Sequence, residues 1–224
     1  MTYDAIGNLA TVTDAENRTA VFEYDPLNWL GKKISPLGFQ TKYFYDQDGN
    51  VSRVERQADA AATQWQIFRF TYTAFNRIET ITDPLNRVTT FSYDLSQNLK
   101  SVLDAENRLT EYQHDERDLM FKVTDANSPA GVTRYDYDGN GTLTRLIDAR
   151  SQETTYVVDL FDRVTRTVYP DAKFSEFVYD KNSNVTRHTT PGTVPIDYVY
   201  DELNRLRQKN FPQNTALNTQ YTYD

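Results

Sequence analysis

The chain has 224 residues, 24 Lys plus Arg against 32 Asp plus Glu, a net charge of -8 and no cysteine. The acidic balance excludes nucleic acid as a partner, and with it an anionic membrane, since both need clustered basic residues to neutralise phosphates. Without cysteine there are no disulfides and no thiolate chemistry, while a mean hydropathy of -0.70 with no long apolar run excludes membrane insertion by a helix. No signal-peptide pattern is present, so any export signal is expected outside this chain. Hydrophobic residues are only 38% of the chain, but 16 Tyr and 12 Phe give it more buriable area than that fraction suggests.

A tyrosine followed by an aspartate recurs along the chain. With the tyrosine of each unit as position zero, the beat falls at Tyr3, Tyr24, Tyr45, Tyr72, Tyr93, His114, Tyr137, Val158, Tyr179, Tyr200 and Tyr223. The gaps are 21, 21, 27, 21, 21, 23, 21, 21, 21 and 23 residues, and a repeat architecture is the reading they impose. Two residues before each beat after the first stands another ring: Phe22, Tyr43, Phe70, Phe91, Tyr112, Tyr135, Tyr156, Phe177, Tyr198 and Tyr221. The residues between are mixed and mostly polar. Period two predicts a half-buried strand ending on the beat, since a helix would scatter these rings around its axis.

The first turn follows the beat. Asp4, Asp25, Asp46, Asp94, Asp115, Asp138, Asp159, Asp180 and Asp201 open it, and Thr73 is the exception. Runs such as Asp4 to Asn8 and Asp201 to Arg205 pair a capping aspartate with a Gly or Asn that accepts positive φ. Six residues after the beat a second strand opens on a uniform aliphatic column, from Leu9, Leu30, Val51, Ile78 and Leu99 through Met120, Leu143, Val164, Val185 and Leu206. Val12, Val54, Ile81, Val102, Val123 and Leu146 lie three residues further on, where strict alternation puts them on the opposite face. A bulge would bring them back; otherwise they face out and pack against something else. A second turn closes each unit, as in Asp14 to Arg18, Asp83 to Arg87 and Asp104 to Arg108. The length variations fall in or beside it, at Ala58 to Gln66, Asn127 to Gly131 and Pro212 to Asn218, along one rim.

Units starting near 3, 24, 45, 72, 93, 114, 137, 158, 179 and 200 make one array over residues 1–224, with no separate effector domain. The fold class is all-β: about ten antiparallel hairpins in a curved sheet. Roughly twenty strands at about 4.8 Å each would span about 95 Å, and an aromatic stripe on one face requires such a sheet to curl or fold over. A closed barrel of that size could not fill its lumen, leaving a flattened tube or a segment of a hollow shell. The leucine-rich-repeat line is absent.

Units such as Tyr3 to Asp25 (YDAIGNLATVTDAENRTAVFEYD) and Tyr200 to Leu206 (YDELNRL) resemble the RHS/YD-repeat family. That family includes bacterial Rhs and wall-associated polymorphic toxins, toxin-complex C components and animal teneurins. The resemblance covers the whole chain. It implies a spiralling antiparallel sheet closing into a hollow shell, which in the toxins encloses a C-terminal effector, and a secreted or cell-surface location. The P-x-x-x-x-D-P-x-G-L boundary motif of the self-cleaving core, an effector and a delivery region are not found here; Asp83-Pro84-Leu85-Asn86 is an ordinary repeat turn. Both ends fall on the beat, so the chain reads as a run of whole repeats. Flanking repeats of a longer polypeptide, or copies of the chain added to its open edge strands as a filament, are the expected partners, with an enclosed effector and glycans as further ones.

No residue reads as catalytic, cofactor-binding or metal-ligating. The recurrent carboxylates occupy a turn slot in every unit, whereas a catalytic pair is singular. Asp46-Gln47-Asp48-Gly49-Asn50 resembles half of a calcium loop without its terminal Glu. His114 and His188 read as packing variants, and Gly139-Asn140-Gly141 as a turn without a following helix. Lys32, Arg53, Lys122, Arg145, Arg166 and Arg187 share one column, placed to pair with neighbouring acids. Trp29 and Trp65 are candidate sugar-stacking surfaces, though burial under the long insertion accounts equally for Trp65.

Overall fold

The computed structural model describes residues 1–58, 64–127 and 130–224. The chain divides into two compact units, Met1–Thr110 and Glu111–Asp224. In each unit successive strands pair antiparallel with their sequence neighbours, and strand contacts run between those neighbours. The first unit runs from a short strand at Thr2–Tyr3 through hairpins such as Thr19–Tyr24 with Leu30–Ile34 and Gln40–Tyr45 with Val51–Gln57. The second repeats the plan, for example Phe174–Tyr179 with Val185–Thr189 and Pro195–Tyr200 with Leu206–Asn210. The first strand of each hairpin ends on the beat, and the second opens six residues later. The predicted all-β class, strand positions and antiparallel hairpins are those observed.

The choice left open over the aliphatic residues falls to the bulge. In Thr19–Tyr24 with Leu30–Ile34, Tyr24 opposes Leu30 while Glu23 opposes Lys32, so Gly31 is the extra residue. The same slip lies before Tyr45, Tyr72, Tyr93, Tyr137, Tyr179 and Tyr200. One inserted residue restores the phase of everything after it. Val54 therefore lies opposite Tyr43, Ile81 opposite Phe70, Val102 opposite Phe91 and Leu146 opposite Tyr135. Aromatic and aliphatic columns share one face.

Both turns of the hairpins have one construction. The aspartate N–H donates to the carbonyl four residues on, and the N–H three residues on donates back to the aspartate carbonyl, as in Asp4–Asn8 and Asp104–Arg108. The residue three after the aspartate is left-handed, with φ of 92° at Gly7, 61° at Asn107 and 59° at Asn204. A turn followed by one left-handed residue is a common three-residue hairpin loop. Asp125 caps a longer version, its carboxylate accepting the N–H of Asn127 at 2.9 Å and of Gly131 at 2.8 Å. The Pro212 to Asn218 variation contains a 3-10 turn at Thr215–Leu217, while residues 59–63 of the first variation and 128–129 of the second lie outside the described residues.

Burial is shallow and even. The rings of both columns, Phe22, Tyr24, Tyr43, Tyr45, Phe70, Tyr72, Phe91, Tyr93, Tyr112, Tyr135, Tyr137, Tyr156, Phe177, Tyr179, Tyr198 and Tyr200, are all half-buried. Among the described residues no large side chain is wholly buried; the best-covered are Ser175 at 2%, Gln57 and Thr167 at 8% and Ala20 at 9%. Each ring is covered by its cross-strand and same-face neighbours, the unit of stabilisation in a sheet. Among the described residues no helix is long and apolar enough to cross a membrane.

Candidate functional site

The recurring site is the joint between one repeat and the next, and the beat tyrosine makes it. The Tyr24 hydroxyl donates to the carbonyl of Leu9 at 3.1 Å, Tyr45 to Leu30 at 2.9 Å, Tyr72 to Val51 at 2.8 Å and Tyr93 to Ile78 at 2.8 Å. In the second unit Tyr137 donates to Met120 at 2.8 Å, Tyr179 to Val164 at 2.7 Å, Tyr200 to Val185 at 3.0 Å and Tyr223 to Leu206 at 2.7 Å. Every acceptor is the first residue of the preceding repeat's second strand, beside its bulge. A bulge disrupts the ladder locally, and the phenol reaches a carbonyl there. Burial raises the phenol pKa of Tyr45, Tyr72, Tyr137, Tyr179 and Tyr200, so these hydroxyls stay protonated donors.

The following aspartate builds the turn. One carboxylate oxygen accepts the backbone N–H groups two and four residues on at 2.8 to 3.2 Å in Asp4, Asp25, Asp46, Asp115, Asp138, Asp159, Asp180 and Asp201. Asp94 accepts the N–H of Asn98 at 2.8 Å. The other oxygen takes a side chain four residues on: Asn8 at 3.0 Å, Asn50 at 3.2 Å, Arg163 at 2.6 Å, Asn184 at 2.9 Å and Arg205 at 2.8 Å. These bonds favour the ionised form. The backbone N–H of Arg205 and then its side chain hold Asp201 below the usual carboxylate range, and the guanidinium of Arg163 does the same for Asp159.

Adjacent turns are also joined. The Asn8 amide donates to Asn28 at 2.6 Å, Asn50 to Asn76 at 2.9 Å, Asn140 to Asp162 at 3.2 Å and Asn184 to Asn204 at 2.8 Å. The opposite face carries the basic column. Lys32 pairs with Glu23 at 2.8 Å, Arg145 with Asp136 and Glu153, Arg166 with Glu176 and Arg187 with Asp197 at 2.6 Å. Arg53 pairs with Glu55 and lies 3.8 Å over the Phe44 ring.

The remaining candidates fall in place within this frame. The Asp46 carboxylate of the half calcium loop accepts donors from Asp48 and Asn50, and among the described residues no three acidic or histidine side chains converge as a metal set. His188 stacks on Phe177 at 4.5 Å with the rings 4° apart, and His114 lies opposite Met120. Gly139 and Gly141 sit in the turn capped by Asp138. The Trp29 ring lies 5.0 Å from Tyr45, and Lys42 covers Trp65 at 4.4 Å.

The RHS repeat model matches residues 3–38, and the same beat continues through the rest of the chain. Over residues 3–38 the chain is similar to an RHS repeat. No curated protein matches the sequence. Among solved structures, the crystal structure of TcdB2-TccC3-TEV aligns over 97% of this chain and 13% of its own, with a TM-score of 0.76 and 15% identity. That of TcdB2-TccC3 without the hypervariable C-terminal region aligns over 98% and 11%, with a TM-score of 0.61 and 15% identity. The chain thus spans about an eighth of the length of the first of these and shares its fold there.

Sequence reasoning took the beat tyrosines as rings alone and missed the hydroxyl's partner. A signal was available. The column two residues earlier accepts phenylalanine at Phe22, Phe70, Phe91 and Phe177, whereas phenylalanine never stands on the beat.

Proposed function

We propose that this chain is an array of RHS repeats serving as a structural module, a length of β-sheet wall within a larger exported polypeptide. The observation that carries the reading is the joint: at eight repeats the tyrosine hydroxyl donates to the preceding repeat. Residues chosen for joining copies in series suit a wall, whose stability is a sum over neighbours. On this reading the module is non-enzymatic, its flanking partners are further repeats, and the polypeptide is secreted or displayed at the cell surface. The aligned structures are of TcdB2 joined to TccC3, one of them without a hypervariable C-terminal region. By analogy the wall encloses an effector segment of its own polypeptide.

The test is proteolysis of the full polypeptide that contains these repeats. The enclosed segment should survive protease in the intact protein and be cut once Tyr45→Phe, Tyr72→Phe and Tyr179→Phe are combined. A segment equally sensitive in both proteins overturns enclosure. Turnover of a substrate abolished by His114→Ala or His188→Ala would overturn the structural reading itself.

A further inference from the structure

Many turn aspartates of this chain take a side-chain donor on their second oxygen, and Asp25, beside a tryptophan, does not. The residue five after the beat does the work. It is Asn8, Asn50 or Asn184 where an amide donates to the carboxylate, and Arg163 or Arg205 where a guanidinium does. The arginines lie at the same time over the next beat ring, Arg163 at 4.5 Å from Tyr179 and Arg205 at 4.6 Å from Tyr223. In these repeats a cation is held between a carboxylate and an aromatic ring.

In the repeat that starts at Tyr24 this residue is Trp29. Its indole takes the guanidinium's place against the next beat ring, 5.0 Å from Tyr45 and tilted by 48°. The Trp29 indole N–H makes no hydrogen bond to the carboxylate four residues earlier. Asp25 accepts Leu27 and Trp29 N–H groups on one oxygen, and among the described residues its other oxygen has no hydrogen-bond donor. Asp25, Leu27, Trp29, Tyr45 and Asp46 line an open cleft here, and no lysine or arginine is among its walls. An aromatic face beside an unneutralised carboxylate is the arrangement that attracts an organic cation.

We propose that this cleft binds an external ammonium group with an apolar shell, of the quaternary or alkylated kind, against Trp29 and Asp25. The ligand supplies the charge that Arg163 and Arg205 supply in their own repeats. A neutral sugar could stack on the same indole and donate a hydroxyl to the carboxylate, but at this position Arg163 and Arg205 place a cation against the next ring, which favours the cation.

Tetramethylammonium chloride is the probe, titrated into the full 224-residue chain while the two indole N–H resonances are followed by NMR, with sodium chloride as the ionic-strength control. Trp65→Phe assigns the signals. The Trp29 resonance should shift with tetramethylammonium and not with sodium, while that of Trp65, whose ring Lys42 already covers, stays still. Asp25→Asn keeps an oxygen for the turn cap and should weaken the response at least ~10-fold, as expected for loss of a charge-assisted contact. Trp29→Asn, which restores the residue used at Asn8, should abolish the heat of binding in calorimetry with the sheet's circular dichroism retained. The proposal is overturned by an equal shift with sodium, by no shift, by an unchanged response in Asp25→Asn, or by maltose shifting Trp29 at a lower concentration than tetramethylammonium.

Discussion

A phenylalanine and a tyrosine cover a neighbouring strand about equally well, so a column that takes one and never the other selects for the hydroxyl. Here it donates to a carbonyl in the previous repeat, and removing it leaves that carbonyl without this donor. Tyr72→Phe, which breaks a 2.8 Å bond to Val51, is expected to destabilise by about 1 kcal/mol in urea unfolding. Nature's own gap offers the converse. Val158 stands on the beat with no hydroxyl, and Val158→Tyr should raise stability by roughly 0.5–1.5 kcal/mol through a new bond to Leu143. A loss with Tyr72→Phe but no gain with Val158→Tyr would confine the effect to sites already shaped for the ring. A second residue-scale expectation concerns Thr193, held at φ of 61° where a β-branched side chain is strained. Thr193→Asn should raise the unfolding midpoint, worth about 1 kcal/mol.

At the scale of the element, the hairpin is a turn, a bulge and a staple acting together. The turn brings the strands into register, the bulge returns the aliphatic residues to the aromatic face, and a tyrosine of the next repeat bonds beside the bulge. The turn tolerates length as long as its aspartate still reaches both ends, as Asp125 shows across six residues to Gly131. Gly131 pays for this in freedom to vary: a Cβ there would overlap the Asp125 carboxylate and lie 2.8 Å from the Ala149 Cβ. Gly131→Ala is expected to cost roughly 1–3 kcal/mol, seen as faster amide exchange in the strands Met120–Thr124 and Val132–Tyr137 that this turn joins. Exchange unchanged there would mean that the loop relaxes freely.

Across the whole molecule the same carboxylate chemistry recurs often enough to set the response to acid. Hydrogen bonds from the backbone N–H groups of Arg18, Arg108 and Arg205, joined by their side chains, hold Asp14, Asp104 and Asp201 below the ordinary value. A folded-state pKa below the unfolded one means that the unfolded chain takes up protons first. The stabilisation is therefore present above the unfolded aspartate pKa of about 3.9 and is lost as pH falls through the lower folded values. The thermal midpoint should be nearly flat from about pH 7 to 5 and fall below about pH 4. Replacing Asp14, Asp104 and Asp201 together by Asn, which keeps the cap oxygen, should flatten that fall; an unaltered acid limb would place its origin elsewhere.

Much of this was legible before any coordinate. The 21-residue beat, the ring pairs and the Asp-x-x-Gly-Asn strings determined strands, turns and the face that each ring occupies, because alternation and turn chemistry are local properties of the backbone. The basic column was legible for the same reason, as residues at one offset in each repeat must lie in one row. Three things only the tertiary structure decided. Leu9 as the acceptor for Tyr24, fifteen residues away, depends on the register between strands, which a bulge of one residue resets. The phase of Val54 and Ile81 depends on that same bulge, and period two alone puts them on the wrong face. The pairing of Trp29 with Tyr45 and the free oxygen of Asp25 arise where one repeat's turn meets the next repeat's strand. A one-dimensional pattern names the columns, but the offset between neighbouring rows is fixed by hydrogen bonds across the sheet.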